Sequence, residues 1–173
     1  VAIGNHNNGG IVGIAPDCSF NPIRFSLAAD DSTLWDIFDY ASTQGDILSC
    51  SWGPPPVYSP LGTALSEKFT QIAKTGGPRG NGALLCFSAG NYNAPIKDYS
   101  NSSFVWRHPT YGNQENKGII LNGFCAHPEV LTVAASTSQN RKSAYSNWGK
   151  EIDICAPSDN WNPLDPFARE PGR

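Results

Sequence analysis

Charged residues and methionine are scarce or absent in this sequence. Lysine, arginine, aspartate and glutamate together make up 16% of the 173 residues, the net charge is −3, and there is no methionine. The low charge, together with 39% apolar residues, excludes a disordered chain and predicts a packed globular core. The absence of basic clusters argues against a nucleic-acid partner. No apolar run is long enough to cross a membrane, so no membrane partner is predicted.

Cysteine and histidine are present, but they lack the spacing of a metal site or of a hydrolase site. The five cysteines include no CxxC pair, and their odd number leaves at least one unpaired. Cys50, Cys86 and Cys155 lie in apolar runs, which favours small buried side chains in strands. The three histidines fall in expected loops, and no Gly-x-Ser-x-Gly elbow occurs. A self-sufficient hydrolase site is therefore not visible, and no organic cofactor is predicted.

Short apolar runs alternate with amphipathic segments along the chain. The apolar runs predict strands at 20–26, 47–52, 83–89 and 130–135 and a hairpin at 144–156, and the 3.6-residue periods predict helices at 32–45 and 59–76. Residues 92–129 are polar and rich in glycine, asparagine and serine, which predicts a long loop. Apolar strands that do not alternate are typical of a sheet covered on both faces. We therefore predict an α/β fold with a doubly wound parallel sheet.

Two strands of the predicted sheet end in small residues. Ser51-Trp52-Gly53 closes the strand that begins at Ile47, and Ser88-Ala89-Gly90-Asn91 closes the strand that begins at Ala83. Ligands of open parallel sheets lie beyond the carboxyl ends of the strands, and small residues there let an extended peptide pair along the edge. Asn91 adds a neutral amide donor of the kind that stabilises an oxyanion. The alternative is that both strands simply end in turns.

A glycine-rich stretch at 76–82 offers a rival site, a cradle for phosphate. This stretch follows a predicted helix and precedes a predicted strand. Phosphate loops require the opposite order, because the N-terminus of the following helix must face the anion. Nucleotide binding is therefore not favoured.

Several segments, in one order along the chain, resemble the subtilase family of serine endopeptidases. They are Gly10–Pro16, Ser49–Pro54, Ser88–Asn91, His127–Ala135, Ser143–Gly149 and Ile152–Pro157. One short motif is weak, whereas several in register over nearly the whole chain are specific. The Ser-Trp-Gly-Pro form of the second segment is closer to the kexin and proprotein-convertase branch than to secreted bacterial subtilisins. Pro55 and Pro56, however, stand where convertases that cut after basic residues have acids, so a basic P1 preference does not follow.

The resemblance assigns roles to the residues at the two strand ends. Asn91 corresponds to the family's oxyanion-hole side chain. The resemblance also implies two walls of a substrate cleft and its P1 pocket: Ser51, Trp52 and Gly53 on one side, and Ser88, Ala89 and Gly90 on the other. The substrate that it implies is a peptide or protein.

The segment Asn5-His6-Asn7-Asn8-Gly9-Gly10-Ile11 resembles the family's calcium loop. The Asn7 amide oxygen, with backbone carbonyls near Asn5, Gly9 and Ile11, would ligate a structural calcium ion, because calcium prefers oxygen ligands. The alternative is a turn rich in glycine and asparagine that binds no metal.

The catalytic aspartate, histidine and serine motifs of the family have no counterpart in this chain. By the resemblance, the first two precede Val1 and the serine motif follows Arg173. We therefore expect residues 1–173 to be an internal part of one subtilase peptidase domain, truncated at both ends and inactive alone. The alternative is a non-catalytic pseudoprotease that keeps the cleft as a peptide-binding module.

Overall fold

The computed structural model describes residues 13–108, 110–165 and 171. Within these ranges the elements are α1 (Asp31–Gln44), β1 (Ile47–Cys50), β2 (Tyr58–Ser59), α2 (Thr63–Thr75), β3 (Leu84–Ser88), β4 (Lys97–Asp98), β5 (Ser103–His108), β6 (Gly112–Lys117), β7 (Ile120–Asn122), β8 (Val130–Ser136) and β9 (Ile154–Pro157). None of the described helices is long and apolar enough to cross a membrane.

The main sheet contains β1, β3, β8 and β9 in that spatial order, and every neighbouring pair is parallel. Leu85 lies opposite Val130, and Val133 lies opposite Ile154. Because all strands run in one direction, their carboxyl ends meet at the same edge of the sheet. The parallel sheet with its helices confirms the predicted α/β class.

The first helix begins at Asp31, one residue earlier than the predicted range of 32–45. The N-cap is Asp30, whose carboxylate accepts hydrogen bonds from the Thr33 amide at 2.8 Å and from the Ser32 hydroxyl at 2.9 Å. Asp30 and Ser32 are both good capping residues, and the three-residue spacing to the Thr33 amide selects Asp30. The prediction of a helix here is confirmed.

The two helices pack side by side on one face of the main sheet. Their apolar side chains join those of β1, β3 and β8 in a single core. The most buried members, each at most 1% exposed, are Leu65, Phe69, Ile72, Leu85, Phe87 and Ile96. Burial of each such side chain stabilises the fold by roughly 1.5–3 kcal/mol. The core therefore fixes β1 and β3, which carry the two candidate cleft segments.

Apolar side chains on the opposite face of the sheet are open to solvent. Ile47, Leu84 and Ile154 are 65%, 42% and 50% exposed. No described helix packs on this face, because the apolar faces of α1 and α2 both belong to the core described above.

The segment at 20–26, predicted as a strand, forms no ladder with any described strand. Residues 20–26 have no regular secondary structure and are mostly exposed, and β1 stands at the end of the described sheet without a further neighbour. A segment becomes a strand only when a second strand pairs with it. Among the described residues, the prediction of a strand at 20–26 is therefore wrong.

The prediction of an unstructured loop at 92–129 is wrong, because β4 to β7 lie within it. β5 and β6 form an antiparallel hairpin in which Ser103 pairs with Lys117 and His108 with Gly112. β6 has the sequence Gly-Asn-Gln-Glu-Asn-Lys, without one apolar residue. Apolar alternation could not reveal this strand, because neither of its faces is apolar.

The hairpin predicted at 144–156 is also wrong. Residues 144–149 form turns and an isolated bridge, and β9 pairs in parallel with β8 instead. β9 is the last strand of the described sheet, and each of its residues is exposed. The prediction of a buried thiol is consequently wrong for Cys155, whereas Cys50 is buried at 8% exposure.

Candidate functional site

The two candidate cleft segments leave the sheet side by side. Cys50 at the end of β1 lies opposite Phe87 of β3, so Ser51 and Ser88 emerge next to each other at the carboxyl edge. Ser51 and Gly53 are exposed, whereas Ser88 is half-buried and Ala89 is buried. The structure therefore places the segments 51–53 and 88–91 next to each other at this edge.

The side chain of Trp52 packs into an aromatic cluster beneath the candidate cleft segments. It is half-buried, and its ring lies 5.1 Å from Phe25, 5.3 Å from Phe87 and 5.1 Å from Phe124 in edge-to-face contacts. Edge-to-face aromatic pairs add about 0.5–1.5 kcal/mol each beyond the area that they bury. This cluster ties the 51–53 segment to the core.

Two hydrogen bonds that sequence reasoning missed link Asn122, which lies beside Gly53, to the 88–91 segment through Cys125. An ideal Cβ on Gly53 would lie 3.6 Å from Asn122 Nδ2, and this nitrogen donates to Cys125 Sγ at 3.3 Å. The Cys125 thiol in turn donates to the Ser88 carbonyl at 3.4 Å. Burial raises the pKa of the Cys125 thiol to about 12, so it keeps the proton that this bond requires. Asn122 and Cys125 come from the misjudged loop, which is why no sequence signal identified them.

Asn91 and Asn93 are the exposed residues of the loop from Ala89 to Ala94, and the Asn93 side-chain oxygen accepts from Lys142 at 2.8 Å. Ala89 and Ala94 are 2% and 0% exposed, whereas the Asn91 side chain is open to solvent. Within the described ranges, no hydrogen bond engages that side-chain amide. The Asn91 donor is therefore available to a ligand at the carboxyl edge.

Position 90 requires a glycine. Its φ is +103°, a left-handed conformation that favours glycine. A Cβ at this position would lie 2.6 Å from the side-chain nitrogen of Asn147. The glycine therefore lets a buried asparagine approach the backbone of the Asn91 loop.

A cavity of about 200 Å³ opens where the carboxyl ends of β3, β8 and β9 meet. Ser88, Asn91, Ala135, Tyr145 and Ser158 are among the residues that line it. The Tyr145 hydroxyl and Ser158 Oγ are 2.6 Å apart, so these two polar groups satisfy each other. Asn91 is thus an unengaged amide at the border of a recess.

Neither described histidine is placed to serve as a general base at this edge. His127 is buried: its Nδ1 accepts from the Glu129 amide at 3.2 Å, which leaves Nε2 to donate to the Ser66 carbonyl at 3.1 Å. Burial lowers the pKa of this imidazole, so it remains neutral. His108 accepts from the Thr110 amide in the turn of the β5–β6 hairpin. Both rings hold backbone in place.

The glycine-rich stretch at 76–82 does not have the form of a phosphate cradle, because the amides of all its glycines donate to backbone carbonyls. Gly80 donates to the Gly77 carbonyl at 3.0 Å, and Gly82 donates to the Gly76 carbonyl at 2.9 Å. Arg79 pairs with Asp46 at 3.1 Å. A phosphate site needs several N–H groups directed at one point, and these amides are already engaged.

The predicted calcium ligands Asn5, Asn7, Gly9 and Ile11 lie outside the described residues. Within the described ranges, no cluster of three or more histidine, cysteine, aspartate or glutamate side chains is arranged to hold a metal ion.

A parallel α/β sheet with a cleft and an available amide donor at its carboxyl edge defines a broad class of ligand-binding and hydrolytic proteins. Comparison with known proteins narrows this class: the subtilase family model matches residues 1–171. The chain is 30% identical over 178 residues to a calcium-dependent protease of Nostoc sp., covering 94% of this chain and 23% of that protein. It is 27% identical over 161 residues to the major intracellular serine protease of Bacillus subtilis, covering 90% of this chain and 41% of that protein. The chain belongs to the subtilase family.

Solved structures show the same fold. The crystal structure of MycP1 with its N-terminal propeptide removed superimposes with a TM-score of 0.62 at 19% identity, covering 92% of this chain and 50% of that one. The prenylagaramide maturation protease PagA gives a TM-score of 0.58 at 21% identity, covering 91% of this chain and 50% of that one. The predicted subtilisin-like fold is confirmed, and the chain spans only part of the length of the proteins that it matches.

Proposed function

We propose that this chain forms part of a serine endopeptidase, in which it supplies the oxyanion donor and the two walls of the substrate cleft. The main observation behind this proposal is the side-chain amide of Asn91. It is exposed and forms no hydrogen bond with any described residue, and its loop is held at the carboxyl edge of the sheet. Membership of the subtilase family supports the same role. In this proposal the catalytic aspartate, histidine and serine lie outside residues 1–173, and these residues alone do not hydrolyse peptides.

The proposed role of Asn91 belongs to the step in which the peptide bond is attacked. The serine oxygen loses its proton to the histidine and bonds to the carbonyl carbon, and the carbonyl π electrons move onto its oxygen. Asn91 Nδ2 donates a hydrogen bond to that oxygen. Because the oxygen carries more negative charge in the transition state than in the substrate, this bond raises kcat more than it lowers KM.

The two walls are proposed to contribute differently to the binding of an extended peptide or protein segment. The carbonyl of Ser88 accepts from Cys125, and those of Ala89 and Gly90 accept from Asn147. The exposed segment 51–53 is therefore the better candidate for backbone pairing with substrate, and the 88–90 segment acts through its shape. The kexin and proprotein-convertase branch, suggested by the Ser-Trp-Gly-Pro motif, stays a prediction.

Replacement of the donor tests this proposal. In the complete polypeptide that carries this chain, Asn91→Ala should lower kcat for a peptide substrate by about 100- to 1000-fold with little change in KM. This range is the one measured for the equivalent donor of subtilisin, a member of the same family, and it is carried over from that enzyme. Asn113→Ala, an exposed asparagine on β6, is the matched control and should have no effect. An unchanged kcat in Asn91→Ala would refute the oxyanion role, and peptide binding without any turnover by the unaltered protein would favour a pseudoprotease.

A structural calcium ion is part of the proposal. It is supported by the resemblance of Asn5–Ile11 to a calcium loop and by relatives named calcium-dependent proteases. Calcium that binds only the folded protein stabilises it, by about 2.7 kcal/mol at a hundred times its Kd. Chelation of calcium should therefore lower the melting temperature of the complete protein, and Asn7→Ala should reduce the difference. A melting temperature that does not respond to calcium would exclude the site.

A further inference from the structure

Asn147 is a buried, uncharged residue whose side chain uses its hydrogen-bonding capacity on one loop. It is 5% exposed. Its Nδ2 donates to the Ala89 carbonyl at 2.9 Å, and its Oδ1 accepts from the amides of Tyr92 at 2.9 Å and Ala94 at 3.1 Å. Its own backbone amide donates to the Gly90 carbonyl at 3.0 Å. All four bonds reach the loop that carries Asn91.

These contacts lie on both sides of Asn91 in the sequence. Other hydrogen bonds hold one side only: Ala89 donates to the Val133 carbonyl before Asn91, and Asn93 donates to the Tyr145 carbonyl after it. Within the described ranges, Asn147 alone forms hydrogen bonds with residues on both sides. The side chain of Asn147 therefore links the two sides of the Asn91 turn directly.

An amide is the side chain that this position requires. The loop presents a carbonyl acceptor at Ala89 and two N–H donors at Tyr92 and Ala94, and an asparagine offers the matching donor and acceptor without a charge. Without these bonds, the N–H of fully buried Ala94 would have no partner, which is costly in a protein interior. Gly90 leaves the room that the amide needs, since a Cβ there would lie 2.6 Å from Nδ2.

We infer that Asn147 is a positioning residue for catalysis: its amide fixes the 89–94 loop so that Asn91 presents its donor at the carboxyl edge. The inference rests on the proposed oxyanion role of Asn91. Asn147 acts through Asn91 and has no contact of its own with the reacting atoms. Displacement of a catalytic group by about 1 Å lowers rates by about 100-fold, so the loss expected from a loosened loop is about 10- to 100-fold in kcat.

The test uses Asn147→Ala in the complete polypeptide, alone and combined with Asn91→Ala. Asn147→Ala should lower kcat by about 10- to 100-fold and change KM by less than about threefold. In the Asn91→Ala background, Asn147→Ala should lower kcat by less than about threefold. The effects of two residues that act through one another are not additive. Asn160→Ala is the matched control, since Asn160 is also 5% exposed but accepts from Ala144 instead of contacting the loop.

Equal losses of kcat in the two backgrounds would overturn the inference, because they would show a general structural effect. An Asn147→Ala enzyme with unchanged kcat would overturn it as well. If Asn91→Ala itself leaves kcat unchanged, the proposed function fails, and the inference about catalysis fails with it. In that case, hydrogen exchange of the Tyr92 and Ala94 amides in Asn147→Ala still measures whether Asn147 fixes the loop. Loss of their protection would show that it does.

A second variant covers the case in which Asn147→Ala does not fold. Asn147→Asp has the same shape and keeps the oxygen that accepts from Tyr92 and Ala94, but it places a carboxylate oxygen where the amide donates to the Ala89 carbonyl. It should keep the protection of both amides and lower kcat relative to the unaltered protein, because the Ala89 side of the loop loses its hydrogen bond. An aspartate variant that folds and keeps the unaltered kcat, with the two amides unprotected, would contradict the inference.

Discussion

The fit between Gly90 and Asn147 leads to the sharpest stability prediction. In Gly90→Ala, the new methyl group would meet Asn147 Nδ2 at 2.6 Å, well inside contact distance, at a φ of +103°. Backbone strain of this kind costs on the order of 1–3 kcal/mol. Displacement of the buried amide adds about 1–3 kcal/mol for the polar groups that it leaves without partners.

A second glycine separates the steric effect from the conformational one. Gly112, in the β5–β6 hairpin, has a φ of +69°, and a Cβ there would meet nothing within 4 Å. Gly112→Ala carries only the left-handed cost of roughly 1–2 kcal/mol, partly offset by about 0.4–1 kcal/mol from the less flexible unfolded chain. The same offset applies to Gly90→Ala, which should therefore be the more destabilising of the two by about 1–4 kcal/mol.

Denaturant unfolding of the complete polypeptide measures this difference directly. Both variants should unfold at lower denaturant than the unaltered protein, with Gly90→Ala well below Gly112→Ala. Gly90→Ala should also lose kcat, because its clash falls on the loop of Asn91, whereas Gly112→Ala should keep it. If the two variants lost equal stability, the close approach of Asn147 to Gly90 would not have the energetic weight assigned to it.

Two further predictions follow from shifted pKa values. Burial lowers the pKa of His127 below its unfolded value of about 6.5, so below that pH the unfolded chain binds a proton that the folded chain resists, and stability should fall as the pH drops from 7. His127→Gln should flatten this part of the stability profile, and a profile identical to that of the unaltered protein would contradict the argument. Burial also raises the pKa of Cys50 and Cys125 to about 12, so a thiol reagent at neutral pH should label exposed Cys18 and Cys155 first. Mass spectrometry after partial labelling checks the order, and early modification of Cys125 would contradict it.

The helices and the central strands could be predicted because their signal is local. α1 and α2 present apolar side chains at helical spacing to a core, and β1, β3 and β8 are short apolar runs between turns. The parallel arrangement follows from the alternation of strands with helices. The ends of β1 and β3 then locate the cleft, since register alone places Ser51 beside Ser88.

The misjudged elements depend on partners that are distant in sequence. β6 is polar on both faces and is a strand only because it pairs with β5, and the segment at 20–26 has strand-like residues without a described partner. β9 pairs with β8 and not with the segment just before it. Periodicity reports which face a segment buries and does not report which segment lies beside it.

The same limit explains why the sequence predicted only some residues of the candidate site. Asn91 lies in a short motif at a strand end, but the residue that fixes its loop is Asn147, 55 positions away from Tyr92. An asparagine between Ser146 and Trp148 has no apolar spacing or recognisable chemistry that would distinguish it from an ordinary turn residue. What distinguishes it is that one amide matches a carbonyl and two N–H groups of another segment. Residues of this kind are found by tracing the partner of each buried backbone group, and in this chain that trace leads from Ala94 to Asn147 and then to the exposed donor of Asn91.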